Sequence, residues 1–222
     1  MLSGGAGLRA MCHVAARMFG DEFSWDDVDP QGNLDPLIFA EAAAKNDMDY
    51  REHLDAFRRQ YLLQLDKELS ANRDKVQVMP GIHDLLERLR DRAESADDIV
   101  LGLLTGNYAE AVPIKLAAID VDVSWFQITS FGDEAGTRPE MVELAMKKYE
   151  AAYGEPADPD RVLIIGDTPR DVACAHAHGC PCFAVATGFS SADTLREAGA
   201  DVVVNDLSDP APLLAMIEDR LE

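Results

Sequence analysis

Basic residues are scarce in this chain: 20 Lys and Arg stand against 41 Asp and Glu, a formal net charge of −21 at pH 7. A field of that sign repels phosphate backbones and anionic membrane surfaces, so neither nucleic acid nor a membrane is an expected partner. Long apolar runs are missing as well. The longest, such as residues 99–104 and 162–165, fall far short of the roughly 20 residues a spanning helix needs. The first 11 residues carry one Arg and three Gly, with neither a basic region nor an apolar run of signal-peptide type. Cysteine is sparse, and four thiols without a secretory signal point to reduced residues in a cytoplasm. Repeats and low-complexity tracts are lacking too. What remains is ordinary globular composition, 47% hydrophobic and 27% charged over 222 residues, which excludes a disordered or collagen-like chain and suits one core with a sizeable insert.

The first third reads as helix throughout. Residues 7–19 form a short amphipathic stretch ending at Gly20, and Asp35-Pro36 looks like an N-cap with proline at the first helical position, opening a helix to about Lys45. In residues 50–69, Leu54, Phe57, Tyr61, Leu62 and Leu65 lie on one helical face. Met79-Pro80-Gly81 interrupts this pattern. Beyond it, compact apolar runs at 99–105, 125–130, 162–167, 182–186 and 201–204 alternate with helical stretches at 82–92, 108–119, 139–153, 169–178, 191–198 and 210–221. That alternation predicts an α/β fold, a doubly wound parallel sheet covered on both faces. The expected organisation is a residual connection over 1–13, a helical cap over 14–79 and an α/β core over 80–222.

In open parallel sheets ligands sit outside the carboxyl ends of the strands, so polar residues there carry the most weight. Thr105-Gly106-Asn107 closes the apolar run 99–104 with a hydroxyl, a flexible turn and an amide, donors suited to a phosphate oxygen, although the same residues also serve as a plain cap and turn. Asp167 and Asp171 follow the run 162–165, four residues apart, one at the strand tip and one in the first helical turn. Two such carboxylates suit a hard cation, or else a cap and a helix dipole. Arg138 precedes Pro139 after an acidic, glycine-bearing loop, where a cation neutralises a phosphoryl group, holds a carboxylate, or simply faces solvent.

These three elements, in this order, resemble the haloacid dehalogenase-like hydrolases, particularly their phosphoglycolate phosphatase-like branch, over nearly the whole chain. Thr105 is similar to the Thr or Ser of the family's second motif, Arg138 to the Lys or Arg of its third, and Asp167 with Asp171 to the acidic pair of its fourth. Val78-Met79-Pro80-Gly81 looks like the return from a helical cap to the core. The resemblance implies a magnesium-dependent phosphatase acting on a small phosphorylated metabolite through an aspartyl-phosphate. Thr105, Gly106 and Asn107 then bind phosphate, Arg138 neutralises its charge, Asp167 binds magnesium, and Asp171 binds the metal or orients Arg138. Asn33 and Asp35, in the Gly32-Asn33-Leu34-Asp35 loop, are candidates for substrate selection. The chain is expected to act as a monomer or homodimer. A dehalogenase using the same nucleophile without a metal, and a non-catalytic binding protein, are the competing readings.

The departure from the family is at the start. Its members open with an apolar strand ending in D-x-D-G-T, which supplies the nucleophile and the general acid or base. Here the sequence opens Met1-Leu2-Ser3-Gly4-Gly5-Ala6-Gly7, similar to the segment just after that motif. The expectation is a misplaced start or a discarded strand, and in either case no turnover by the chain as it stands. Loss of a central strand leaves two ladders of buried N–H and C=O groups unpaired at about 1–3 kcal/mol each, against a typical total stability of about 5–15 kcal/mol, which favours the misplaced start. The alternating Cys174, His176, His178, Cys180 and Cys182 lack a C-x₂-C pair, and alternate helical positions point apart, so no zinc site is expected there.

Overall fold

The computed structural model describes residues 5–96, 98–188 and 190–221. By contacts the chain divides into two compact units. One comprises Met1–Gln77, Thr105–Val123 and Phe131–Asp133, the other Val78–Leu104, Ser124–Ser130 and Glu134–Glu222. The first division along the chain lies between Gln77 and Val78. The first unit, however, also takes in Thr105–Val123 and Phe131–Asp133, which the sequence pattern assigns to the core. The expected 13/14 boundary lies inside a continuous helix.

The first unit is helical. It contains α1 (Ala6–Phe19), α2 (Asp35–Lys45), a 3₁₀ turn at Tyr50–Glu52, α3 (Leu54–Ala71) and, further along the chain, α5 (Ala111–Ala117). The expected face of α3 is the buried one: Phe57, Tyr61, Leu65 and Leu69 pack with Ala10, Val14, Ile38 and Phe39. Phe39 and Phe57 stack with ring centroids 3.8 Å apart and planes 8° from parallel. Asp35 departs from the expected N-cap. Leu34 holds that position, Asp35 is the first helical residue, and its carboxylate makes no capping hydrogen bond to its own helix. The helix expected from residue 108 starts at Ala111, and the Tyr108 and Ala109 amides before it are hydrogen-bonded by side chains distant in sequence.

The second unit carries α4 (Ile82–Ser95), β1 (Gly102–Thr105, whose last residue falls in the first unit), β2 (Ile128–Phe131, likewise), α6 (Arg138–Tyr153), β3 (Ile164–Gly166), α7 (Pro169–His176), β4 (Cys182–Val185), α8 (Ala192–Glu197), β5 (Val202–Val204) and α9 (Ala211–Glu218). β3, β4 and β5 pair in parallel, with Ile164 opposite Cys182 and Phe183 opposite Val202. β4 is buried at every position and its side chains alternate between two cores. Phe183 and Val185 join Leu85, Leu89, Leu213 and Met216 on one face. Cys182 joins Val142, Val172, Cys174 and Ala175 on the other. That is the doubly wound arrangement the alternation predicts. Trp125 is a correction: expected in a strand, it lies in a 3₁₀ turn, with the Arg90 guanidinium 4.5 Å above its ring.

β1 and β2 form a separate two-stranded sheet, and among the described residues no ladder joins β1 to β3. Ile165, in the middle of β3, is 46% exposed although strands of a parallel sheet are ordinarily covered on both faces. No helix among the described residues is long and apolar enough to cross a membrane.

Candidate functional site

Strand ends, not helix faces, gather the polar side chains in this chain, in two constellations. The first is the turn that closes β1. Thr105 Oγ1 accepts the Asn107 N–H at 3.4 Å, which leaves the hydroxyl hydrogen available for an incoming oxygen. Asn107 accepts the Gly132 N–H at 2.9 Å through its backbone carbonyl. A Cβ at Gly132 would lie 2.0 Å from the Gly106 carbonyl oxygen, so only glycine allows this close backbone approach.

Two carboxylates distant in sequence brace the same turn. Asp133 Oδ1 accepts the Ala109 N–H at 2.9 Å, and Asp133 Oδ2 is paired with Arg58 at 2.5 Å. Arg58 also bonds Glu110 and lies 4.7 Å over the Tyr108 ring. Asp35, on the other side, accepts the Tyr108 N–H at 3.1 Å and is 4% exposed. Burial pushes its pKa up, with Lys115 and the hydrogen bonds from Tyr108, Asn107 and Tyr61 pulling the other way. Asn33, its neighbour, turns its Oδ1 onto the Leu34 N–H at 2.9 Å.

The second constellation is at the tip of β3. Asp171 is 5% exposed, and all its acceptor capacity is in use. Oδ1 takes Arg138 Nε at 3.1 Å and Nη2 at 2.5 Å. Oδ2 takes the Asp167 and Thr168 N–H groups at 3.1 Å each and the Thr168 hydroxyl at 2.8 Å. Thr168 and Asp171 thus form a capping box on α7. A Cβ at Gly166 would sit 2.3 Å from the Asp171 Cβ, so glycine at the strand tip admits that carboxylate. Asp167 differs: it is half-buried, and its carboxylate accepts from its own backbone N–H. Burial first, then the negative Asp171 beside it, push its pKa above the usual Asp range, while Arg138 draws it down.

Arg138, Asp167 and Asp171 are therefore brought together, as are Thr105, Gly106, Asn107 and Asp35. The cysteines and histidines of 174–182 are not gathered. His178 Nε2 meets the Pro139 carbonyl at 2.8 Å, His176 Nε2 meets Asp201 at 3.3 Å, and Cys174, Cys180 and Cys182 are buried in the core. Pattern reading missed Arg58, Lys115 and Asp133. The signal for Asp133 lies in the acidic stretch Gly132-Asp133-Glu134 after β2, another strand end.

Parallel strands wound with helices on both faces, with polar side chains at their carboxyl ends, place those side chains where open α/β sheets ordinarily bind ligands. Residues 137–210 match the HAD-hydrolase-like family model. The chain is similar to the haloacid dehalogenase-like hydrolases, and in particular to their phosphoglycolate phosphatase branch. It is 32% identical over 136 residues to the phosphoglycolate phosphatase of Chromobacterium violaceum, covering 61% of this chain and 56% of that one. With the Escherichia coli K12 enzyme of the same name it shares 25% over 142 residues, covering 63% and 52%. The chain thus spans about half the length of the curated relatives it matches. Its fold is that of CbbY from Rhodobacter sphaeroides, solved in complex with phosphate, at a TM-score of 0.67, 18% identity and coverage of 96% and 92%. A predicted phosphoglycolate phosphatase from Haemophilus somnus gives 0.65, 17%, 96% and 92%.

Proposed function

We propose that this chain carries the phosphate- and magnesium-binding parts of a phosphomonoesterase acting on a small phosphorylated metabolite in the cytoplasm. The observation that supports this reading most is the division of labour at the tip of β3. Asp171 is saturated by five donors and holds Arg138, while Asp167, which accepts from its own backbone N–H, is the carboxylate with capacity left for a hard cation. Magnesium fits that donor set. It would be held by Asp167, with Asp171 acting on it through Arg138, and when bound it would neutralise charge on a phosphoryl oxygen.

The Thr105 hydroxyl, the Gly106 turn and the Asn107 amide donate to phosphoryl oxygens, and the Arg138 guanidinium offsets the charge that develops on them. The nucleophile, in the family's manner, is an aspartate that would form an aspartyl-phosphate hydrolysed by water; the segment D-x-D-G-T that would supply it is not among residues 1–222.

The test is an aryl phosphate assay with magnesium on two proteins, the 222-residue chain and a form extended upstream to include an in-frame D-x-D-G-T. The short chain should be inactive and the long one active, with Asp167→Asn lowering activity and magnesium dependence far more than His176→Ala or Cys180→Ala. Turnover by the short chain comparable to an ordinary phosphatase, or loss of activity on chelating zinc instead of withdrawing magnesium, would refute the assignment.

A further inference from the structure

We infer that Asp35 is a positioning residue for the phosphate-binding turn, acting through Gly106, Asn107 and Tyr108 without meeting substrate itself; this rests on the phosphate role proposed for that turn. The evidence is the concentration of its contacts. Its own N–H donates to the Gly106 carbonyl at 2.7 Å. Its Oδ1 accepts from Asn107 Nδ2 at 3.4 Å, and its Oδ2 from the Tyr108 N–H at 3.1 Å. One residue at the start of α2 therefore engages three consecutive residues of a turn about 70 positions away, from 72 to 73 apart by side chain. The Tyr61 hydroxyl, 3.5 Å from Oδ2, completes the set.

The chemistry of the turn explains what such a clamp would do. The Asn107 amide has two hydrogens, and anchoring one on Asp35 fixes the plane of the group, so that the other keeps a constant direction. The Tyr108 N–H, bonded to Asp35, lies before α5, which starts at Ala111, so the bond ties down residue 108 at the end of the turn. Asp35 is 4% exposed, and Lys115, half-buried on α5, opposes the upward push of burial on its pKa. Burial lowers the Lys115 pKa, with Asp35 opposing that shift. Asp35 is thus too enclosed for direct substrate selection, and its influence passes through the turn it holds.

Asp35→Asn tests this with little change of volume. An amide offers one oxygen and one NH₂, so either the Tyr108 N–H or the Asn107 NH₂ meets a donor in place of an acceptor. Two quantities are measured on the full chain: exchange of the Tyr108 amide hydrogen by NMR, and the dissociation constant for inorganic phosphate. Glu41→Gln, the same chemical change on the exposed side of α2, is the control. Asp35→Asn should speed Tyr108 exchange at least tenfold while amides in α1 and α3 keep their wild-type rates. It should weaken phosphate binding by a similar factor, and Glu41→Gln should do neither.

Should Asp35→Asn not fold, Tyr61→Phe removes one donor to the same oxygen, and a threefold or larger acceleration at Tyr108 is expected. Wild-type exchange at Tyr108 in either folded variant would overturn the inference. Phosphate binding that survives Asp35→Asn unchanged would overturn it alone, whereas a wild-type chain that binds no phosphate would overturn the proposed function as well.

Discussion

Arg138 and Asp171, 33 residues apart, meet at a single carboxylate oxygen, with Nε at 3.1 Å and Nη2 at 2.5 Å from Asp171 Oδ1. The side chains are 17% and 7% exposed, so each charge depends on the other for compensation. Truncation of one partner leaves the other charge buried and alone. Asp171→Ala should therefore cost about 3–5 kcal/mol in urea unfolding. The double variant with Arg138→Ala should lose clearly less than the two single losses added, by more than about 1 kcal/mol. Strict additivity would show that the pair is not coupled.

Gly132 tests steric demand apart from backbone conformation. Its added Cβ would meet the Gly106 carbonyl oxygen at 2.0 Å and the carbonyl carbon at 2.5 Å, backbone atoms that cannot swing aside. Gly154, with φ of 81°, has nothing within 4 Å of its added Cβ, so alanine there pays for conformation alone. Gly132→Ala should cost roughly 2–3 kcal/mol and Gly154→Ala roughly 1 kcal/mol. Equal melting temperatures for the two variants would contradict the close approach.

The core cysteines should be chemically silent. Burial pushes the Cys174 thiol up to about 11 and the Cys182 thiol up to about 12, from 9.0. At pH 8 this reduces the Cys174 thiolate fraction roughly a hundredfold, and the thiolate is the form that reacts. Iodoacetamide at pH 8, followed by mass spectrometry, should leave Cys174, Cys180 and Cys182 unmodified in the folded chain and label all four cysteines in urea. Rapid labelling of Cys182 in the folded chain would count against its place in β4.

Asp201 gives a pH dependence of defined sign. Burial raises its pKa, but the Cys182 N–H at 2.8 Å and His176 outweigh that, and the net shift is downward. An aspartate depressed on folding contributes stability that is present above its unfolded value, about 3.9, and is lost as pH falls through the lower folded value. Its side chain is 46% exposed, so solvent screening keeps the contribution below about 1 kcal/mol. Asp201→Asn should melt slightly earlier than the parent at pH 7, and the difference should close below about pH 4. A gap that widens in acid would reverse the sign argued here.

The helices and strands were legible because their periodicities are local. The apolar face of α3 and the apolar run that becomes β4 each declare themselves within a few residues. Arg138, Asp167 and Asp171 could be picked out for the same reason, as polar residues at strand and helix ends. The pairing of Arg138 with Asp171 is offered only by the family resemblance, as one of two roles for Asp171, because residue spacing says nothing of how α6 and α7 pack. Asp35 shows the limit most clearly. Its sequence context, an acid before proline, is that of a helix cap, but the fold turns the carboxylate toward Tyr108. Trp125 follows the same logic: a β-former by composition, it packs under Arg90 outside any strand.

The second unit begins at Val78, yet its opening turn is finished only by residues near its end. The Leu207 N–H donates to the Pro80 carbonyl at 3.3 Å, and a Cβ at Gly81 would lie 1.9 Å from the Leu207 carbonyl oxygen. Arg92 on α4 is joined to Glu218 on α9, 126 positions later. During synthesis at about 5–20 residues per second, α4 would wait roughly 6–25 s for that partner to be made. Its Leu85 and Leu89, destined for the core with Leu213 and Met216, spend that interval without their α9 neighbours. The vulnerable period for this protein is thus on the ribosome, where the N-terminal edge of the second unit needs shelter until the last helix emerges.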